Sequence, residues 1–224
     1  MISLSDYSGQ TDIFDPRKFT WPIHIIGCGG IGSNLILPLA KMGIPELHLW
    51  DPDQVEDHNI PSQLYRPSDI GANKVDIAKQ ILESFEVDAT ITTHTEAVCA
   101  NTQLEGVVIS GVDSMTARQA IWEAVKANFT AIPLLMDGRI GGEQLELITL
   151  SPSDFDAVNA YESGDLFADE DALPLPCAAR TTVHTPLVLD GLILANLTLF
   201  ARGLPTQPRT IIQLKTMQFI SLTN

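Results

Sequence analysis

A short, mostly apolar run, Ile23–Ile26, opens onto Gly27 and predicts a strand buried in a sheet. Ile31–Met42 repeats its apolar positions with helical period, and Gly43 follows as a glycine that ends a helix should. Glu46–Trp50 alternates Leu47 and Leu49 and stops at Asp51, which predicts a second strand. A strand, a helix and a strand in this order make a βαβ unit, and the crossover helix makes the two strands parallel. Lys74–Phe85 is an amphipathic helix with Val75, Ala78, Ile81, Leu82 and Phe85 on one face. Ala89–Thr93 and Val107–Val112 predict a third and a fourth strand, the fourth ending at Asp113. Thr116–Ala127 predicts a helix, and Ile132–Met136 a fifth strand ending at Asp137. Gly141-Gly142 suits a tight turn, so Gln144–Leu150 reads as a return strand.

Two stretches lack this regularity. Asp53–Ala72 is long and irregular, and carries Asn59, Pro61, Gln63 and Pro67; connections of that length inside a compact domain are usually functional. Residues 140–179 hold nine Asp or Glu and no Lys or Arg, and Ser151–Leu173 shows little periodicity. That part reads as a mobile acidic crossover. Val183–Phe200 is a helix apolar on most faces, which suits a core or a subunit contact. Thr210–Leu214 and Gln218–Leu222 predict a terminal hairpin.

The pattern predicts a single α/β domain over 1–224: a Rossmann-like, mostly parallel sheet flanked by helices, with a C-terminal helix and an antiparallel hairpin. The nucleotide-binding part spans about 22–138, the acidic crossover about 151–176, and the terminal helix and hairpin about 183–222. With 45% hydrophobic and 18% charged residues, the composition is that of an ordinary globular protein. The N-terminal stretch lacks the basic start and apolar core of a secretory signal, and Pro186–Ala201 is shorter than the roughly 20 residues that cross a bilayer. A cytoplasmic protein with no membrane contact is expected. Three cysteines with no CxxC pair argue against structural zinc. The net charge of −15, with its 13 Lys and Arg scattered, argues against nucleic acid.

Gly27-Cys28-Gly29-Gly30-Ile31-Gly32 fits G-x-G-x-x-G between a strand and a helix. Such glycines allow a tight turn and close approach of the backbone to phosphate, and the helix start supplies free N–H groups and the positive end of its dipole. Gly27, Gly29, Gly30, Ile31 and Gly32 are therefore candidate nucleotide contacts. Asp51 stands 24 residues after Gly27, where a dinucleotide site would place an acid against ribose. To this point an NAD-dependent oxidoreductase fits equally well.

The residues after Asp51 separate the two. Asp51-Pro52-Asp53, Asn59 through Gln63, Asp69-Ile70-Gly71-Ala72-Asn73-Lys74 and Asp113-Ser114 with Arg118 follow in order. This series resembles the ThiF/MoeB/HesA family of adenylating enzymes, which activate ubiquitin-like proteins. The resemblance covers about Pro22–Leu150, with a fainter echo through Cys177 and the last helix. It implies an ATP-dependent adenylyltransferase that activates the C-terminal carboxylate of a ubiquitin-like protein, sulfur carrier or peptide as an acyl-adenylate. It also implies ATP and Mg²⁺ as cofactors and pairing of the chain as a homodimer. By resemblance Asp51 contacts ribose, Lys74 a phosphate, and Asp113 magnesium. Asp53 and Ser114 join the nucleotide contacts, and Asn59 and Gln63 can hydrogen-bond phosphate or the incoming acyl group. Each has a plainer alternative: Lys74 a solvated side chain, Asp113 a helix cap, Asp53 and Asn59 shapers of the loop, Arg66 and Arg118 surface salt bridges.

Two departures from the family pattern favour a second function, a catalytically degenerate partner subunit. Ser62 stands where Arg is common, and Gly9-Gln10 where Arg-Gln is common. Arg17 and Arg66 are the candidates to replace the missing cation; otherwise another chain supplies it. Cys177 lies where parts of the family use a cysteine in acyl or sulfur transfer; the alternative is a small buried hydrophobe. Cys28 reads as a packed turn residue.

Overall fold

The computed structural model describes residues 7–168 and 182–222. Ile23–Ile26 (β1) is buried along its whole length, as a strand covered on both faces must be. Gly30–Met42 (α1) follows it, and Gly43 closes the helix in the left-handed region at φ +88°, where glycine carries no steric penalty. Then come Glu46–Trp50 (β2), Lys74–Ser84 (α2), Thr90–His94 (β3), Val107–Ser110 (β4), Met115–Ala127 (α3), Leu134–Gly141 (β5) and Gln144–Leu150 (β6). Phe155–Gly164 (α4), His184–Ala201 (α5), Arg209–Gln213 (β7) and Gln218–Leu222 (β8) complete the chain.

All eight strands form one sheet in the order β3-β2-β1-β4-β5-β6-β7-β8. The first five in that order are parallel, and β6, β7 and β8 add antiparallel. The architecture is the expected Rossmann-like α/β sheet, with its helix and terminal hairpin where the apolar pattern places them. One core packs α1, α2 and α5 on a face of the sheet through Leu35, Leu39, Val75, Leu82, Ile193 and Leu197. The other packs α3 and α4 on the opposite face through Ile121, Trp122, Val125 and Tyr161. The chain leaves β1 toward β2 on one side and returns as β4 on the other. A crevice opens at the carboxyl ends of strands that part in this way.

Four expectations need correction. β4 ends at Ser110 rather than Val112, because the Val112 carbonyl turns away from the sheet to accept from Arg118. β5 starts at Leu134 and runs through Asp137 to Gly141, held by its antiparallel pairing with β6. The irregular Asp53–Ala72 segment contains short 3-10 turns at Asp57–Asn59 and Pro67–Asp69. The acidic crossover is not irregular throughout: α4 lies within it, capped by the Asp154 carboxylate on the Asp156 and Ala157 N–H groups. Only Tyr161 of that helix is buried, so it shows little apolar period in the sequence. Crossover positions 169–173, and Cys177, lie outside the described residues.

The 18 residues of α5 are long and apolar enough to cross a membrane by length and composition alone. Here the helix packs on α1 and on the sheet through Leu189, Ile193 and Leu197, and Asp190 and Asn196 are buried among them. Its other flank exposes Leu187 and Val188. It is both a core helix and a partly uncovered apolar surface.

Candidate functional site

The crevice at the β1–β4 divide is a cavity of about 930 Å³. Its floor is the turn between β1 and α1. Gly27 has φ +92°, and a Cβ there would come within 3.0 Å of the Gly111 backbone. A Cβ on Gly32 would lie 2.0 Å from the Gly27 carbonyl oxygen, so Gly32 lets the helix seat against its own strand. Gly29 and Gly30 differ: a Cβ on Gly30 would meet nothing within 4 Å, because both glycines face the cavity. No side chain caps α1, so its leading N–H groups remain available to an anion.

The turn is clamped from outside. The Asp51 carboxylate accepts from Cys28 N–H at 2.7 Å and from Asp53 N–H at 2.9 Å. Burial raises the Asp51 pKa above the ordinary carboxylate value, with Lys74 and the two N–H groups opposing it. The Tyr65 hydroxyl donates to the Cys28 carbonyl at 2.7 Å. Asn34 donates to the Ser62 carbonyl, and the Leu64 N–H donates to the Ser33 hydroxyl. The 53–72 segment is thereby fastened along α1, with Ser62 and Gln63 facing the cavity.

Lys74 enters from the start of α2. Its ammonium is buried, donating to Asp53 at 2.9 Å and lying 3.8 Å from Asp51. Asp113 comes from the opposite wall, three residues past the end of β4. Among the described residues its carboxylate makes no hydrogen bond or ion pair. Ser114 beside it lines the cavity but also caps α3, accepting from Ala117 N–H. The cap that the sequence offered to Asp113 therefore belongs to Ser114. Asn59 lines the cavity and caps a 3-10 turn, its side-chain oxygen accepting from Glu56 N–H. Gln63 Oε1 is buried and has no partner among the described residues.

Three arginines lie elsewhere. Arg17 pairs with Asp15 and Arg66 with Asp69, both on the surface. Arg118 is not on the surface: it is buried and bonds Asp137. Among the described residues, Lys74 is the only Lys or Arg that lines the cavity. Cys28 is buried, and burial pushes its thiol well above the usual range, which leaves it a packing residue.

Sequence reasoning missed the apolar wall and the histidines behind it. Trp50, Val98, Ala117, Ala120 and Ile121 line one side of the cavity. The Trp50 ring stacks on His94 at 3.5 Å, with 4° between planes, and its N–H donates to His24. Burial, with His48 and His94 nearby, takes His24 down to a pKa of about 3, so it is a neutral acceptor. The visible signal was an aromatic at the last position of β2, directly before Asp51. His58, paired with Glu56, and Glu96 were also missed as lining residues.

Comparison with known proteins agrees with this fold. The chain is 35% identical over 104 residues to the Nedd8-activating enzyme E1 catalytic subunit of Drosophila melanogaster, covering 44% of this chain and 23% of that protein. It is 36% identical over 74 residues to ubiquitin-like modifier-activating enzyme 5 of Oryza sativa subsp. japonica, covering 33% of this chain and 18% of that protein. It thus spans about a quarter or less of the length of these curated relatives. In fold it is similar to E. coli MccB solved with ATP, at a TM-score of 0.73 and 18% identity over 98% of this chain and 69% of that one. It is also similar to PaaA, at a TM-score of 0.70 and 21% identity over 93% of this chain and 65% of that one. The family that matches the sequence covers residues 8–143, more than half of the chain and all of the cavity floor, and on that match the chain belongs to the ThiF family.

Proposed function

We propose that this chain uses ATP to adenylate the C-terminal carboxylate of a small protein or peptide. The observation that carries the proposal is the meeting, in one crevice, of the uncapped start of α1, the Lys74 ammonium and the unbonded Asp113 carboxylate. The N–H groups and Lys74 bind phosphate, and the Trp50–Val98–Ile121 wall takes the base. Each Asp51 oxygen keeps a lone pair for a ribose hydroxyl beyond its backbone bond. In the reaction a carboxylate oxygen of the acceptor bonds to the α-phosphorus, and the bond from that phosphorus to the pyrophosphate oxygen breaks. Pyrophosphate leaves with the electron pair. Lys74 offsets the charge that moves onto it, and Gln63 and Asn59 orient the incoming acyl group. Asp113 is the residue to hold Mg²⁺, a hard cation that takes oxygen ligands; when bound, it neutralises triphosphate charge. MccB solved with MccA and the modifier-activating relatives support an acceptor of this class.

One observation favours a second function, a non-catalytic partner subunit: no arginine among the described residues reaches the cavity. In the catalytic account a second copy of the chain supplies that cation, and the uncovered flank of α5 is a surface available for pairing. ATP–pyrophosphate exchange by the purified chain, in the presence of a panel of ubiquitin-like proteins and free-carboxylate peptides, tests the choice. Exchange that requires Mg²⁺ and one acceptor supports adenylation. ATP binding without exchange across the panel supports the partner subunit.

A further inference from the structure

Asp137 is fully buried on β5, below the cavity, and is bonded from three directions. Arg118 Nε donates to its Oδ1 at 3.0 Å. Arg139 donates twice to its Oδ2, at 2.9 and 2.7 Å. The Tyr161 hydroxyl of α4 donates to the same Oδ2 at 3.0 Å. Burial raises the Tyr161 pKa, so this group is a proton donor throughout the working range. The rest of the Arg118 fork faces the loop between β4 and α3: Nη2 donates to the Val112 carbonyl at 2.7 Å and to the Gly138 carbonyl at 3.1 Å. Val112 is the residue directly before Asp113.

We propose that Arg118 is a positioning residue for the cavity, anchored on Asp137 and setting the Val112–Ser114 loop from which Asp113 projects, with α4 bracing the anchor through Tyr161. The acidic crossover helix is thereby connected to the loop at the site. A planar guanidinium suits this task because its donors are fixed relative to one another, so one side chain joins a carboxylate to two carbonyls. Within Val112–Ser114, among the described residues, the Asp113 carboxylate is unbonded and Ser114 bonds only forward, into α3. Charge also separates the roles of the two partners. Removing Asp137 would leave the buried Arg118 and the largely covered Arg139 without their carboxylate, which is strongly destabilising. Removing Arg118 would leave Asp137 paired with Arg139, so Arg118 can be changed in a folded protein.

The inference rests on the adenylation proposal for the role of Asp113, but not for the anchor itself. Arg118→Lys keeps a charge beside Asp137 but has a single nitrogen, which cannot span Asp137, Val112 and Gly138. Losing about one hydrogen bond's worth of local stability raises amide exchange about tenfold. Hydrogen exchange without ligand should therefore rise about tenfold at Gly111, whose N–H donates to the Ile26 carbonyl at the base of this loop, in Arg118→Lys, and by a smaller factor in Tyr161→Phe, with the α1 turn unchanged. In the same variants the Mg²⁺ concentration that half-saturates ATP binding should rise in parallel, while ATP binding in EDTA stays the same. Unchanged exchange at Gly111 in folded Arg118→Lys overturns the anchor; if that variant does not fold, unchanged Gly111 exchange in Tyr161→Phe does so. A loosened loop with unaltered Mg²⁺ dependence leaves the anchor standing and removes the metal role assigned to Asp113.

Discussion

Lys74 and Asp53 are bonded twice: the Lys74 ammonium donates to the Asp53 carboxylate at 2.9 Å, and the Lys74 backbone N–H donates to the Asp53 carbonyl at 3.0 Å. The first bond orients the ammonium, and the second fixes the start of α2 beside the end of β2. The Asp53 side chain is 66% exposed while that of Lys74 is 8% exposed, so the carboxylate is the partner that can swing out when a phosphate arrives. When Asp53 is removed, Asp51, 3.8 Å from the ammonium, still keeps the buried lysine paired. Asp53→Ala is therefore expected to change stability by under about 1 kcal/mol in urea unfolding. A loss several times larger would mean that the pair is a structural lock, not a resting position for the lysine.

The two inner glycines of the turn should respond differently to the same change. Gly32→Ala drives a Cβ into the Gly27 carbonyl, a backbone atom that cannot step aside, and should cost about 3 kcal/mol or more. Gly30→Ala meets open space and should leave stability within about 0.5 kcal/mol while weakening nucleotide binding. Equal stability losses in thermal melts of the two variants would contradict this division.

Asp190 provides the pH test. Among the described residues neither of its buried oxygens has a partner, and burial lifts its pKa to about 8 from an ordinary value of 3.8. Between about pH 4 and pH 8 the folded protein thus holds a proton that the unfolded chain releases. The contribution of this group is fully present below pH 4 and declines as pH rises toward 8. Asp190→Asn keeps the shape and removes the decline, and should stabilise the protein by about 1–3 kcal/mol at pH 8 with little effect at pH 4. Urea midpoints that stay parallel across that range would disprove it.

Pairing of the chain is checked by sedimentation. With an apolar flank of α5 exposed and no arginine among the described residues lining the cavity, a dimer is expected at micromolar concentration, and a monomer would remove the proposed source of the second cation.

The βαβ unit, the glycine turn and the terminal hairpin were legible because local signals coincide there: apolar period, a left-handed glycine and an acid at a strand end. Helix α4 was not, since it buries little beyond Tyr161 and is stabilised instead by an aspartate cap and by the bond to Asp137. The role of Arg118 was misjudged for a related reason. Helical period sets it on the inner face of α3 with Met115, Ile121 and Trp122, but the carboxylate it bonds comes from β5, a contact that no short window along the chain contains. Motif spacing pointed to Lys74 and Asp113, and the fold brings both to one cavity. The Trp50–His94 wall needed strand pairing to appear, because β3 meets β2 only after a crossover through α2.

The most direct test of the central claim is thermal stability with Mg-ATP, and separately with NAD, for the unaltered chain, Lys74→Ala and Asp113→Ala. Ligand at 100 times its Kd adds about 2.7 kcal/mol, or roughly 5–10 °C for a domain of this size. A shift with Mg-ATP alone, lost in both variants, is the predicted result. A shift with NAD alone, or a Mg-ATP shift that survives both substitutions, would contradict the account.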